Sequence, residues 1–213
     1  MDKKKIVEAL NKAFEDKGKR KFSQSVEFIM NFRGVDFTKP EQRLNIDINL
    51  PKGRGKEPNI IVFADGQLAV DAKNAGLEVI SGAQIPAMAV KKKDVKKLAK
   101  KSEFLSAPNL MTVVGKNLGQ VLGTMGKLPK PVAGTGVAVV TEAARQARTK
   151  VRMATKGKYL PVAQCLVGSE AMKVEDIADN VDAVYEKVKV KVTEPNIKSM
   201  FVKLTMGKPV KIL

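Results

Sequence analysis

The chain of 213 residues contains no histidine and a single cysteine, Cys165. Without imidazole or clustered thiolates, histidine general bases, Ser-His and Cys-His catalysis and almost every zinc site are excluded. One cysteine cannot form a disulfide within the chain, which suits a reducing cytosol. Because Cys165 lies among the apolar residues of 162–167, we expect a small buried core side chain rather than a nucleophile.

Long apolar runs and acidic residues are also scarce. No stretch approaches the ~20 apolar residues that a membrane helix needs, and the N-terminus lacks an apolar signal core. We therefore expect a soluble, cytoplasmic protein with no membrane partner. The chain contains only 22 Asp and Glu but 39 Lys and Arg, which gives a net charge of +17. Such an excess attracts polyanions, so nucleic acid is the first partner to consider.

Helix and alternating-strand patterns occupy both ends of the chain. Apolar residues recur at helical spacing in 3–17 and again in 174–188. The period changes to two in 26–32 and 44–50, which we expect to form antiparallel strands, and in 199–205. This shared pattern of a helix with alternating strands indicates that the two termini build one domain.

The middle of the chain has a different pattern. Residues 59–64 form a short, nearly continuous apolar run, typical of a strand buried on both faces. A βαβ rhythm follows, with predicted helices at 91–101, 110–122 and 142–148 and a mainly parallel sheet. The predicted organisation is a discontinuous α/β domain from residues 1–58 and 157–213, with an inserted domain at 59–156. The alternative, three small sequential domains, leaves the N-terminal residues with little core.

The last strand offers one candidate binding surface. Its even-numbered residues Met200 to Leu204 are apolar and should face the core, whereas the odd-numbered side faces outward. Gly207 follows, where we expect a backbone conformation that a Cβ would resist, and close approach of a ligand. The outward side carries Ser199, Phe201, Lys203 and Thr205.

Two further stretches place cations together. Phe22 follows Lys19, Arg20 and Lys21, and such a cluster can hold phosphates while the ring offers a surface for a base or ribose. The alternative interpretation of Phe22 is a core residue at a helix-to-strand turn. The lysines of residues 91–101 could bind phosphates or could form a solvated helix face.

Residues 132–137 resemble half of a dinucleotide fingerprint, but the third glycine and the preceding strand are missing, which favours a structural loop. Asp65 and Asp71 have no second carboxylate spaced to form a catalytic pair, so we interpret them as helix-capping or solvated residues. We expect no enzyme activity, no cofactor and no metal.

Five ordered motifs carry a resemblance that covers essentially the whole chain. Together they resemble the large-subunit ribosomal protein L-one family, in an archaeal-type version. The motifs are Lys-Phe-Ser-Gln-Ser-Val-Glu at 21–27, Leu-Pro-Lys-Gly-Arg-Gly-Lys at 50–56, Leu-Pro-Lys-Pro at 128–131, Ala-Gly-Thr at 133–135 and Thr-Met-Gly at 205–207.

The resemblance implies a discontinuous first domain and an inserted Rossmann-like three-layer α/β domain, joined by a hinge. It also implies a partner, large-subunit rRNA, in the mobile stalk beside the exit site for deacylated tRNA, and repression of translation through the protein's own mRNA. We expect a monomer when free. The expected hinge residues are Gly53, Gly55, Pro58 and Gly157. The expected RNA contacts are Lys21, Phe22, Ser25, Glu27, Ser199, Lys203, Thr205, Met206 and Gly207.

One departure concerns the glycine-rich loop. Bacterial members of the family commonly have a lysine before Ala-Gly-Thr, whereas this chain has Val132, so an RNA role for the loop is in doubt. Two other hypotheses stay open: a nucleotide-binding enzyme that uses the middle domain, and a protein that coats nucleic acid without specificity.

Overall fold

The computed structural model describes residues 2–15, 17–18, 20–155 and 160–212. Its helices are α1 Lys3–Glu15, α2 Gly66–Asn74, α3 Ile85–Val90, α4 Lys92–Lys101, α5 Met111–Thr124, α6 Val137–Thr149 and α7 Val174–Lys191. Its strands are β1 Ser25–Phe32, β2 Asn45–Asn49, β3 Asn59–Phe63, β4 Glu78–Ile80, β5 Ser102–Ser106, β6 Lys130–Pro131, β7 Lys150–Thr155, β8 Val162–Ser169, β9 Ile197–Leu204 and β10 Val210–Lys211.

The chain divides into two compact units. One comprises Met1–Glu57 with Thr149–Leu213, and the other comprises Pro58–Arg148. The sequence patterns predict that residues 149–156 belong to the inserted domain, whereas the contacts place Lys150–Thr155 in the first unit. The fold class is mixed α/β, with one antiparallel and one parallel sheet.

The first unit is built on an antiparallel sheet with the order β10-β9-β1-β8-β7-β2. Helices α1 and α7 pack against its strands and against each other. Val26, Phe28 and Met30 of β1 are fully buried, and the residues between them are half-buried. The predicted alternation of β1 is therefore confirmed, and one face of the sheet stays open beside the helix-covered face.

The two N-terminal strands do not pair with each other, contrary to the simplest expectation from their alternation. β1 lies between β8 and β9, and β2 pairs only with β7 among the described strands. Two strands from the far end of the chain thus separate β1 from β2. Alternation determines which side of a strand is apolar but carries no information on the neighbouring strand.

The second unit contains a parallel sheet with the order β4-β3-β5-β6. Residues 60–63 of β3 are all buried, so both faces of this central strand are covered, as the sequence predicts. Phe63 stacks on Phe104 with a centroid distance of 5.6 Å. The helix predicted at 142–148 is the second part of α6, which begins at Val137, and the short helix α3 was not predicted.

Candidate nucleic-acid interface

The start of β1 and the end of β9 meet through Ser25 and Thr205. The Thr205 N–H donates to the Ser25 carbonyl oxygen at 3.1 Å, and the Ser25 N–H donates to the Thr205 hydroxyl oxygen at 3.1 Å. The Thr205 hydroxyl in turn donates to the Ser25 carbonyl at 3.2 Å. The Thr205 hydroxyl therefore closes this end of the sheet, and one lone pair stays available to a partner.

Gln24 organises the surface around this junction. It is only 1% exposed, and its side-chain nitrogen donates to the Lys17 carbonyl at 2.9 Å. Its side-chain oxygen accepts the Met206 N–H at 3.0 Å, and its backbone carbonyl accepts the Glu170 N–H at 3.0 Å. One buried residue thus connects the α1–β1 segment, the turn after β9 and the turn before α7.

Sequence reasoning missed Gln24, although the chain carries a signal for it. Its position continues the even-numbered series of Val26, Phe28 and Met30, which point into the core. A polar side chain at a core position must find hydrogen-bond partners inside the protein. An amide in that register therefore indicates a residue that fixes neighbouring backbone segments.

Two exposed apolar side chains flank the junction. Phe22 is 50% exposed and Met206 is 59% exposed. The alternative interpretation of Phe22 as a core residue is therefore wrong. Arg20 and Lys21 are exposed on the same segment, whereas Lys19 lies outside the described residues. A ring, a thioether and cations on segments that Gln24 holds together offer both stacking surface and phosphate contacts.

The backbone conformation of Gly207 differs from the expectation. It is absent from the glycines with positive φ, so no left-handed conformation requires glycine there. A Cβ added at this position would lie 3.2 Å from the Leu204 Cβ, and the Gly207 N–H donates to the Leu204 carbonyl at 3.0 Å. Close packing of the turn on the end of β9, rather than backbone strain, favours glycine here.

Opposite charges lie side by side on the open face of the sheet. Glu27 of β1 and Lys203 of β9 are directly opposite in register, and both are half-buried. The Lys203 ammonium donates to the Thr205 carbonyl at 3.1 Å. A carboxylate next to a fixed cation can face RNA without net repulsion, because it can accept a hydrogen bond from a 2′-hydroxyl or a base edge.

Ser199 lies at the other end of β9. It is paired in register with Asn31, whose side-chain nitrogen donates to the Ser199 hydroxyl oxygen at 3.0 Å. Thr205 lies six positions after Ser199, which in an extended chain is a distance of about 20 Å. Phe201 and Ile29 lie opposite each other between the two ends. The predicted contact residues therefore form one extended strip along β1 and β9, which we call the first-unit strip.

Two of the expected hinge glycines are fixed within the first unit. Gly53 and Gly55 have φ values of 72° and 74°. The Gly53 carbonyl accepts the side-chain N–H of the fully buried Asn180 at 2.8 Å. A Cβ on Gly55 would lie 2.6 Å from the Met172 sulfur and 2.7 Å from the Ser169 Cβ. Gly55 therefore packs tightly against the end of β8 and the turn before α7, whereas a Cβ on Gly53 would meet no atom within 4 Å and only its carbonyl is fixed.

Other contacts tie the same segment to the first unit. The Lys56 ammonium donates to the Ser23 carbonyl, and the Lys52 ammonium lies 3.4 Å from a carboxylate oxygen of Asp176. Pro58 begins the second unit. The fourth expected hinge residue, Gly157, lies outside the described residues.

The glycine-rich loop of the second unit is held by a buried carboxylate. Asp71 is 5% exposed, and its oxygens accept the Gly136 N–H at 2.8 Å and the Gln67 side-chain N–H at 3.0 Å. The prediction of Asp71 as a capping or solvated residue is therefore wrong. Asp65 occupies the N-cap position of α2, but its carboxylate accepts the Gly82 N–H at 3.0 Å instead of capping that helix.

Cys165 is buried, as expected, and burial raises the pKa of its thiol to about 12. Among the helices of the described residues, none is long and apolar enough to cross a membrane. The described residues also contain no group of three or more His, Cys, Asp or Glu that could hold a metal ion.

The two-unit α/β fold and the ordered motifs define a two-domain class of protein, and comparisons with known proteins identify the family. Residues 11–208 match the model of the Ribosomal protein L1p/L10e family, and the chain belongs to that family. It is 38% identical over 215 residues to a protein of Methanothermococcus thermolithotrophicus, covering 100% of this chain and 99% of the relative. A protein of Methanothermobacter thermautotrophicus is 39% identical over 212 residues, covering 98% of each chain. Both relatives are named large ribosomal subunit protein uL1.

Proposed function

We propose that this protein is a structural constituent of the large ribosomal subunit, located on the ribosome in the cytoplasm. It binds large-subunit rRNA through the first-unit strip and performs no enzymatic reaction. Membership of the family and the names of its archaeal relatives support the ribosomal role. The net charge of +17 supports an RNA partner.

One observation carries the assignment of the strip. Gln24 holds Phe22 and Met206 on adjoining segments, where both side chains are about half exposed although they are apolar. Exposed apolar side chains on a rigid frame favour a binding surface, since nothing in the core requires them there. Lys21 and Lys203 supply charge, and Ser199 offers a hydroxyl, which suits recognition of structured RNA through shape and 2′-hydroxyls.

The proposal extends to the dynamic and regulatory roles of the family. The protein forms the mobile stalk beside the tRNA exit site, assists release of deacylated tRNA, and represses translation by binding its own mRNA. It is a monomer when free. We infer that its inserted domain corresponds to the second unit, Pro58–Arg148, and that both ends of the chain build the first domain. The fixed positions of Gly53 and Gly55 favour a pivot close to Pro58 and to the return of the chain after Arg148.

The test is binding of the full chain to the stalk fragment of rRNA from the same organism, with a scrambled RNA of equal length as competitor. Phe22→Ala and Met206→Ala together should abolish the preference for the stalk fragment, because stacking is worth about 1–3 kcal/mol per base. Val190→Ala is the matched control, since Val190 is also apolar and 86% exposed, on α7.

Equal binding of the unmodified protein to the two RNAs would refute specific recognition and leave non-specific coating as the function. A preference that survives in the double variant would refute the assignment of Phe22 and Met206. A loss of preference in Val190→Ala as well would show that the assay reports a general change of the surface.

The alternative function, a nucleotide-binding enzyme, needs free N–H groups in the glycine-rich loop. The Gly136 N–H already donates to the buried Asp71, which opposes that hypothesis. Saturable binding of NAD or ATP to the full chain would revive it.

A further inference from the structure

Helix α4 of the second unit presents a continuous lysine surface. At about 100° per residue, six lysines fill one half of its circumference, and no other residue type interrupts that arc. Val95 and Ala99 are buried on the opposite half. The helix of 10 residues is about 15 Å long, so the arc is a broad cationic face. The six residues are Lys92, Lys93, Lys96, Lys97, Lys100 and Lys101.

These charges are exposed and are not neutralised by the surrounding protein. All six lysines are exposed, and none of them forms an ion pair with a carboxylate among residues 20–155 and 160–212. Lys92 donates to the Gln120 side chain at 3.4 Å, which leaves its charge intact. Asp94 is the single acidic residue of the helix.

The second unit concentrates its net charge in this helix. Pro58–Arg148 contains 13 Lys and Arg against 6 Asp and Glu, a net charge of +7. Residues 91–101 contain seven lysines and one aspartate, a net charge of +6. The remainder of the unit is therefore close to neutral, with a net charge of +1. The positive field of this unit originates at one surface.

Helix stability does not explain this arrangement. The N-terminus of a helix favours acidic side chains, yet Lys91 occupies the N-cap without a side-chain capping bond, and Lys92 and Lys93 follow. Along the helix, lysines four residues apart repel each other, as Lys92 and Lys96 do. Lys100 and Lys101 in the last turn favour the helix dipole, but the lysines of the first turn oppose the folding of the free helix, and a bound polyanion would remove that opposition.

We propose that the lysine face of α4 is a second RNA-contacting surface, which binds the phosphodiester backbone without reading bases. The face contains no aromatic side chain for stacking, so it supplies charge only. RNA fits because its phosphates form an extended row of negative charge. Such a row matches a broad cationic face better than a single carboxylate does. This surface acts in addition to the first-unit strip and adds affinity to any RNA that reaches it.

The test compares two full-length variants with the same net charge. One replaces Lys92, Lys93, Lys96 and Lys97 of α4 with Gln. The matched control replaces four exposed lysines of the first unit with Gln: Lys4, Lys5, Lys12 and Lys187. The probe is a single-stranded poly(U) RNA of about 20 nucleotides, longer than the usual site of one binding module. Affinity is measured over a range of salt concentrations.

Loss of the α4 lysines should flatten the slope of log K against log salt by about 2–3, at about 0.7 for each phosphate contact removed. The control should change the slope by less than one such contact. Equal slopes in the two variants would overturn the proposal, since net charge alone would then explain binding. An unchanged affinity in the α4 variant would also overturn it and would favour an acidic protein as the partner.

A second measurement uses the unmodified protein and does not depend on the variants. Lysine acetylation with and without poly(U), read by mass spectrometry, should show protection of Lys92, Lys96 and Lys97. In the sample without RNA, the same lysines should be acetylated. Protection confined to the first unit would overturn the proposal. Because poly(U) lacks the stalk sequence, failure here is distinguishable from failure of specific recognition by the first-unit strip.

Discussion

Gln24→Met tests whether a buried amide keeps the first-unit strip in a binding-competent form. Methionine has nearly the same length and volume as glutamine but carries no hydrogen-bonding group of comparable strength. The substitution removes the bond to the Lys17 carbonyl, 2.9 Å, and the bond from the Met206 N–H, 3.0 Å. The backbone bond from Glu170 to the Gln24 carbonyl does not depend on the side chain.

The expected loss follows from the two backbone groups that lose their partner. Each unsatisfied buried group costs about 1–3 kcal/mol. Both bonds are partly buried, so water can replace part of each, and we expect the free energy of unfolding to fall by about 2 kcal/mol. If RNA binding must restore the order of Met206, affinity for the stalk fragment should fall by up to about thirtyfold.

Urea unfolding and RNA binding are measured on the same preparations of the variant and of a matched control. Gln164→Met is that control, because Gln164 is exposed on β8 and the same substitution there removes no buried bond. The reasoning is refuted if Gln24→Met keeps the stability and the RNA affinity of the unmodified protein. It is also refuted if the two variants lose the same stability.

Three further expectations concern single residues. Gly55→Ala should lower the free energy of unfolding more than Gly53→Ala does. Both positions have a positive φ, but only at Gly55 would the added Cβ lie 2.6 Å from the Met172 sulfur. Equal losses of stability for the two variants in urea unfolding would contradict this packing. Cys165 should react with a thiol reagent at pH 8 only in denaturant, and fast labelling of the native protein would exclude burial. Because burial raises the pKa of the thiol in the folded protein to about 12, the contribution of Cys165 to stability is full below the ordinary thiol pKa and is lost as the pH rises towards 12. Lys21→Gln should flatten the salt slope of binding to the stalk fragment by about 0.7–0.9, and an unchanged slope would remove Lys21 from the interface.

Local patterns determine much of the first unit. The alternation of Val26, Phe28 and Met30 predicts both the strand and its buried side, because side chains of a strand point to opposite faces in turn. The helical spacing of apolar residues likewise predicts α7, which extends three residues beyond the predicted end at residue 188. The exposed face of β9 also follows from alternation, so most of the strip residues could be found without coordinates.

Tertiary structure decides which strands are neighbours. β2 pairs with β7, which is distant in sequence, and not with β1. Such a choice depends on the packing of the whole unit, since many registers satisfy the same alternating pattern. Residues 150–155 therefore belong to the first sheet, although their position in the chain favoured the inserted domain.

The roles of individual polar residues and glycines also depend on the folded chain. The sequence around Asp71 is typical of a solvated helix position, but in the folded chain Asp71 is buried and its carboxylate accepts the Gly136 N–H. Gly207 fits a left-handed turn, yet the close approach of Leu204 is what favours glycine. The sequence by itself determines that the chain is basic, that it lacks imidazole chemistry and that its strands have an outward side. Only the tertiary structure decides that Gln24 joins Phe22 and Met206 into one surface, because contacts between distant segments have no local signature in the chain.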